Sequence, residues 1–395
     1  MILPIICPGF KAAGVVAGIK PNGKPDMGLI VSETPSSAAG VFTRNLIKAA
    51  PVLLDRERIQ SGKAQAIIVN AGNANCCTGE KGIADARKTA ALIAAALGIS
   101  EELVLVSSTG VIGKAMPMEK VEAAVPNLVS GLSEDGLMAV ATAFMTTDTI
   151  PKAICLQGES EGNKFTLAGM IKGAGMIRPD VATMLCYLLT DAEVSPGFLK
   201  TALRAASDRS FNRASIDGDT STNDTVLILA NGLSGVKIET PAQKEIFQAL
   251  LNDLCLQLTR AMVRDGEGVS KLVEIVVKGA SSDADAFRVA DTVGHSPLVK
   301  TAIFGEDANW GRIVGATGRA GVPIEPEKID IFFNDIQLLS SSRWCGAEAE
   351  ARVTEVMRMP EFLITIDLNM GAGTASLITC DFSVDYVKIN ANYRT

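Results

Sequence analysis

A layered α/β sandwich with mixed sheets is the fold this sequence predicts, and three observations point to it. Apolar strand-like runs and helical periods alternate along the whole chain. The runs at 272–277 and 362–368 alternate only partly while 329–333 is richly apolar, so a purely parallel, doubly wound order is not demanded. At 395 residues and 47% hydrophobic, the chain is long enough for two domains or one large two-part core.

Residues 66–70 (Ala-Ile-Ile-Val-Asn) read as a buried strand ending in the small, polar Ala71-Gly72-Asn73-Ala74-Asn75, and an Ala-rich helix follows from about Ile83 to Leu97. A second strand at 103–107 delivers Ser108-Thr109-Gly110 at its end, where hydroxyls and backbone amides can face a cleft. A strand then opens at Thr183, after a Gly-rich and Pro-broken approach. Pro196–Arg209 reads as a helix and 226–229 as a strand. Pro241–Arg264 is a long amphipathic helix with Ile246, Leu250, Leu254 and Leu258 on one face. Strands at 272–277, 329–333, 362–368 and 375–379 complete the pattern, and 385–389 alternates like a further strand.

A net charge of -7 with no Lys/Arg cluster argues against nucleic acid or an anionic membrane as partner. The apolar start is short and broken by Pro4 and Pro8, which fits neither a secretory signal nor a membrane span. Eight cysteines, of which Cys76 and Cys77 are adjacent and the rest scattered, form no zinc spacing and no disulfide framework, so a reducing cytoplasmic setting is expected. Asp217, Asp219 and Asp224 lack the glycine and glutamate register of a calcium loop, and Gly173-Ala174-Gly175 lacks the third glycine of a dinucleotide motif. No metal is expected.

The chain has one histidine, His295, beside Gly294 and a Ser-Pro pair, and it reads as a turn residue. Histidine-based nucleophilic machinery would have to hang on it alone. Thr183, in Lys172-Gly173-Ala174-Gly175-Met176-Ile177-Arg178-Pro179-Asp180-Val181-Ala182-Thr183-Met184-Leu185, offers another chemistry. If the Ala182-Thr183 peptide is cut, one residue carries both a hydroxyl nucleophile and an α-amine base. On residue type alone, a β-branched residue opening a strand is the simpler account of the same position.

The region resembles the ornithine acetyltransferase family, whose members cleave themselves before the threonine of an Ala-Thr-Met-Leu motif. The similarity continues through Gly40-Val41-Phe42-Thr43, Asn73-Ala74-Asn75, Ser108-Thr109-Gly110-Val111-Ile112-Gly113 and Met145-Thr146-Thr147-Asp148-Thr149. It extends through Asp217-Gly218-Asp219-Thr220-Ser221-Thr222-Asn223-Asp224, Asn309-Trp310-Gly311-Arg312 and the chain's last eleven residues.

The resemblance implies an N-terminal-nucleophile-like sandwich, related to the DmpA-like aminopeptidase architecture, cut into fragments 1–182 and 183–395. It implies transfer of acetyl from N-acetylornithine to glutamate, with acetyl-CoA an open second donor and no cofactor. Thr183 falls on the nucleophile, Thr109 and Gly110 on the oxyanion hole, and Thr146, Lys172, Thr183, Glu267, Asn390 and Thr395 on substrate-binding positions. A cytoplasmic heterotetramer of two copies of each fragment is the implied assembly. Two other readings stay open from the residues: an N-terminal-nucleophile aminopeptidase or amidase, and a non-catalytic small-molecule-binding protein that never cleaves.

Overall fold

The computed structural model describes residues 5–178 and 184–392, which form two compact units. The first holds residues up to 212 together with 219–262, and the second holds 213–218 and 263–392. Thr183, Ala182 and Thr395 lie outside the described residues.

In the first unit the strands are β1 (Phe10–Val15), β2 (Met27–Phe42), β3 (Lys63–Asn73), β4 (Val104–Val111), β5 (Lys152–Ser160), β6 (Asn163–Lys172), β7 (Leu185–Thr190), β8 (Glu193–Val194), β9 (Thr225–Ala230) and β10 (Lys237–Ile238). The main sheet runs β4-β3-β2-β9-β7-β6-β5, with β1 also paired to β2, and β8 and β10 form a small separate ladder. The sheet is mixed: β3 with β4 and β7 with β9 are parallel, the other pairs antiparallel.

Period two sorts the side chains onto two buried faces. Ile67, Val69, Leu105 and Tyr187 share one core with Val140 and Leu137 of α4 (Leu137–Ala143). Ala66, Ile68, Val104 and Val106 face the other way, onto α1 (Ala50–Arg58), α2 (Gly79–Leu97) and α3 (Met118–Ser130). Each fully buried Ile, Leu or Val side chain contributes about 1.5–3 kcal/mol. Helix α1 also closes the open edge of β4: Asp55 Oδ1 accepts the Val106 N–H at 2.9 Å, and Arg58 donates to the Val104 carbonyl at 2.7 Å.

The remaining helices of this unit are α5 (Pro196–Arg209) and α6 (Pro241–Arg264), with the bounds expected from sequence. The face of α6 differs from the expected one. Ile246 is 41% exposed, and the buried stripe is Phe247, Leu251, Leu254, Cys255, Leu258 and Met262. A strict four-residue spacing drifts around a 3.6-residue helix, so Ile246 has rotated out of contact by the start of the segment.

In the second unit β11 (Leu272–Ala280) leads through α7 (Asp283–Gly294), α8 (Pro297–Phe304) and α9 (Trp310–Gly318). There follow β12 (Asp330–Phe333), β13 (Ile336–Ser340), β14 (Arg343–Trp344), α10 (Ala347–Met357), β15 (Glu361–Asp367) and β16 (Gly373–Cys380). The sheet order is β14-β13-β12-β15-β11-β16, with β11 and β15 parallel. Phe362, Ile364 and Ile366 alternate into a core with Ala286, Val289, Ala290 and Val293 of α7, which covers one face.

The described residues end on a helix, α11 (Val384–Asn392), where a strand is expected at 385–389. Five alternating residues do not distinguish the two periods here. Helical contacts decide: Tyr386 stacks on Phe382 with ring centroids 4.7 Å apart, Lys388 pairs with Asp385, and the Asn390 amide donates to the Tyr386 carbonyl at 3.0 Å.

Candidate active site

The expected site residues that lie within the described residues fall into two groups, one in each unit. In the first unit, β4 carries Thr109 and Gly110 beside Ala71 and Gly72 of β3. Gly110 has φ +129°, and a Cβ there would lie 2.5 Å from the Gly72 carbonyl carbon. Only glycine fits both the backbone and the space. The end of β4 is held by Asn223, whose amide donates to the Ser108 carbonyl at 2.8 Å and to the Ala74 carbonyl at 2.7 Å.

Lys172, the last residue of β6, is buried with its ammonium 2.8 Å from the Thr146 hydroxyl and 3.4 Å from the Thr109 hydroxyl. Thr109, Thr146 and Lys172 are thus brought together. Asp148, within the Met145–Thr149 motif, adjoins them. Its Oδ1 accepts the Gly173 N–H at 2.8 Å and Lys152 Nζ at 2.7 Å, and its Oδ2 accepts the Thr146 N–H at 3.0 Å. Burial alone would lift the Asp148 carboxyl, but the charges of Lys172 and Lys152 and the Thr146 N–H overcome it and bring it down to about 2. The Asp-x-x-x-Lys spacing of Asp148 and Lys152 was the available signal.

Two further residues border this group. Asp224, fully buried, accepts the N–H of Met184, the residue that follows Thr183 in sequence, at 3.1 Å. Burial pushes its carboxyl well up, against the opposing effects of the Met184 N–H, hydroxyls of Thr43 and Ser221, and the Lys172 charge. Lys20 packs against Gly72 and donates to the Pro25 and Ala143 carbonyls at 2.8 and 3.0 Å. Burial lowers its ammonium to about 8, with Asp26 acting in the other direction.

In the second unit, Glu267 is buried in the turn Asp265-Gly266-Glu267-Gly268 and accepts the Asn390 amide at 2.8 Å. Gly268 has φ +68°, and a Cβ there would meet the Tyr386 backbone nitrogen at 2.5 Å, so the glycine lets α11 approach the Glu267 turn. His295 caps α7; its Nε2 is 2.7 Å from Ser215 Oγ and its Nδ1 is 2.7 Å from the Asp291 carbonyl. Ser215 is buried, so the arrangement fastens the 213–218 segment to α7.

The ArgJ family model matches residues 11–395. The chain belongs to the ArgJ family. The "Arginine biosynthesis bifunctional protein ArgJ" of Geobacter sulfurreducens is 50% identical over 389 residues, covering 98% of this chain and 99% of that relative. The protein of the same name from Syntrophotalea carbinolica is 48% identical over 98% of this chain and 99% of its own length. Among solved structures, the Arginine biosynthesis bifunctional protein argJ of Bacillus halodurans is 41% identical with a TM-score of 0.50, covering 52% of this chain and 98% of that one. The family membership agrees with the mixed α/β architecture expected from the sequence. No described helix is long and apolar enough to cross a membrane.

Proposed function

We propose that this ArgJ-family chain is a self-cleaving acetyltransferase of arginine biosynthesis that moves an acetyl group from N-acetyl-L-ornithine to L-glutamate. The observation that carries the reading is similarity to the bifunctional ArgJ proteins over 98% of the chain. The grouping of buried Thr109 and Lys172 with half-buried Thr146 supports it.

Cleavage at Ala182-Thr183 yields fragments 1–182 and 183–395. The solved Bacillus halodurans chain spans about half of this one, the length of a single fragment. The cut falls between β6 and β7, which are antiparallel neighbours from Leu167↔Thr190 to Lys172↔Leu185, so the fragments stay joined in one sheet.

Thr183 Oγ attacks the acetyl carbonyl while the freed α-amine takes its proton. The tetrahedral oxyanion is held by the Thr109 hydroxyl and the Gly110 N–H, donors worth about 3 kcal/mol each in a preorganised site. The α-ammonium returns that proton to the departing amine, so collapse expels ornithine and leaves acetyl-Thr183. The glutamate amine then attacks, its proton passing by way of the α-amine to Thr183 Oγ, giving N-acetylglutamate and the free hydroxyl. Lys172 and Thr146, with Glu267, Asn390 and Thr395, bind substrate, Glu267 taking an ammonium of ornithine. No cofactor or metal enters; acetyl-CoA, where used, is a second acetyl donor. The assembly is two copies of each fragment, in the cytoplasm.

The test is an initial-rate study with N-acetylornithine and glutamate varied together. Ping-pong kinetics with N-acetylglutamate as product is the expected result. Release of free acetate at a rate independent of glutamate would assign the chain to the hydrolases instead.

A further inference from the structure

We infer that Lys172 and Asp148 are positioning residues that fix the direction of the Thr109 hydroxyl. This rests on the acetyl-transfer reading, in which that hydroxyl is an oxyanion donor.

An ammonium group has three donors and no acceptor. With Lys172 Nζ 2.8 Å from Thr146 Oγ1 and, at the long end of the hydrogen-bond range, 3.4 Å from Thr109 Oγ1, both hydroxyls face it as acceptors. Each must therefore direct its own hydrogen elsewhere. For Thr109 this selects the rotamer in which the O–H is committed to donate, so no reorientation is needed when negative charge develops on a carbonyl oxygen.

A cation this buried requires a counter-charge. Asp148 supplies it and holds both ends of the contact. One carboxylate binds the N–H of Gly173, which directly follows Lys172, and the N–H of Thr146, whose hydroxyl Lys172 reaches. Lys152 Nζ also lies 2.7 Å from Asp148 Oδ1, and the charges of Lys152 and Lys172 both act on the carboxylate, so Asp148 is shared between two ammonium groups. Among the described residues Asp148 holds Gly173, Thr146 and Lys152, and its effect passes through Lys172 to Thr109.

The experiment is a double-mutant cycle on the full chain, with self-cleavage followed by denaturing mass measurement and kcat and KM determined for both substrates. Asp148→Asn alone should lower kcat about tenfold or more, a fraction of the loss on deleting an oxyanion donor, with KM changed less. In a Thr109→Val background the same substitution should cost less than about twofold, because the hydroxyl it orients is gone. Equal costs in the two backgrounds would overturn the proposal. If a variant cleaves slowly, the cleavage rate is entered in the same cycle, since that step also passes through an oxyanion. If Asp148→Asn fails to fold, the cycle is run in a Lys152→Met background, where no Lys152 charge is left without its partner. A wild-type chain with no transferase activity would instead remove the acetyl-transfer reading itself.

Discussion

The Asn390 amide donates to the Glu267 carboxylate at 2.8 Å, tying the C-terminal helix to a buried acidic turn. The contact also leans on α11 itself, where the same amide donates to the Tyr386 carbonyl one turn back. Removing residues 390–395 is expected to lower kcat/KM for N-acetylornithine by about tenfold to a hundredfold, the value of one charge-assisted hydrogen bond. The far-ultraviolet spectrum and cleavage should persist, because among the described residues Asn390 and Asn392 hydrogen-bond to the Glu267 turn and within α11, and not to the sheets. Steady-state kinetics of the truncated protein check this, and unchanged kcat/KM for both substrates would make the end of the chain dispensable.

Thr109→Val is expected to reduce kcat by about a hundredfold or more while moving KM far less, since an oxyanion donor acts in the transition state in preference to the ground state. A variant whose KM rises at constant kcat would place Thr109 in binding.

Gly110→Ala is expected to damage stability as well as turnover. The added methyl meets the Gly72 backbone at 2.5 Å in a region of φ where side chains are strained, so β3 and β4 must shift. A loss of about 1–3 kcal/mol in urea denaturation is expected for such a conflict. Wild-type stability would show that the strand ends yield freely.

Asp55 carries a pH prediction. Burial pushes its carboxyl well above the usual range, and the Val106 N–H and the Arg58 charge offset this only in part. A carboxyl raised in the folded state keeps its proton there while the unfolded chain loses its own above about pH 4. Stability from this site therefore falls as pH rises from about 4 toward the folded value, and it is fully present below that window. Asp55→Asn keeps an acceptor for Val106 and removes the titration, so its stability should decline less between pH 5 and 8 than the wild type's. Asp224, raised by the same cause, contributes a residual slope of the same sign. Parallel declines in variant and wild type would contradict the assignment.

Much of the framework was legible from residues alone, because buried strands such as β9 are continuous apolar runs, and a Ser-Pro start marks α5. The sixteen-residue β2 was not. Its Ser-Glu-Thr-Pro-Ser-Ser centre looks like a loop, but there the pairing to β3 shifts register between Val31 and Ser36, so Pro35 withholds no needed N–H. From Ser37 to Phe42 the strand pairs with β9 as well. The segments that bring Thr109, Thr146 and Lys172 together were legible as motifs, the charges around them less so. Thr109, Gly110, Thr146 and Lys172 follow from the resemblance and the Asp148–Lys152 pair from its spacing, while the contacts of Asp148 with Gly173 and of Asp224 with Met184 join segments distant in sequence, which spacing does not report.

Self-cleavage before Thr183 is the claim on which the mechanism depends, and denaturing intact-mass measurement of purified wild type and Thr183→Ala tests it most directly. Two fragments dividing at Ala182-Thr183 for the wild type, and one full-length, folded, inactive chain for Thr183→Ala, are the expected results. A single intact wild-type chain, or a Thr183→Ala protein that still divides at this bond, would contradict the account.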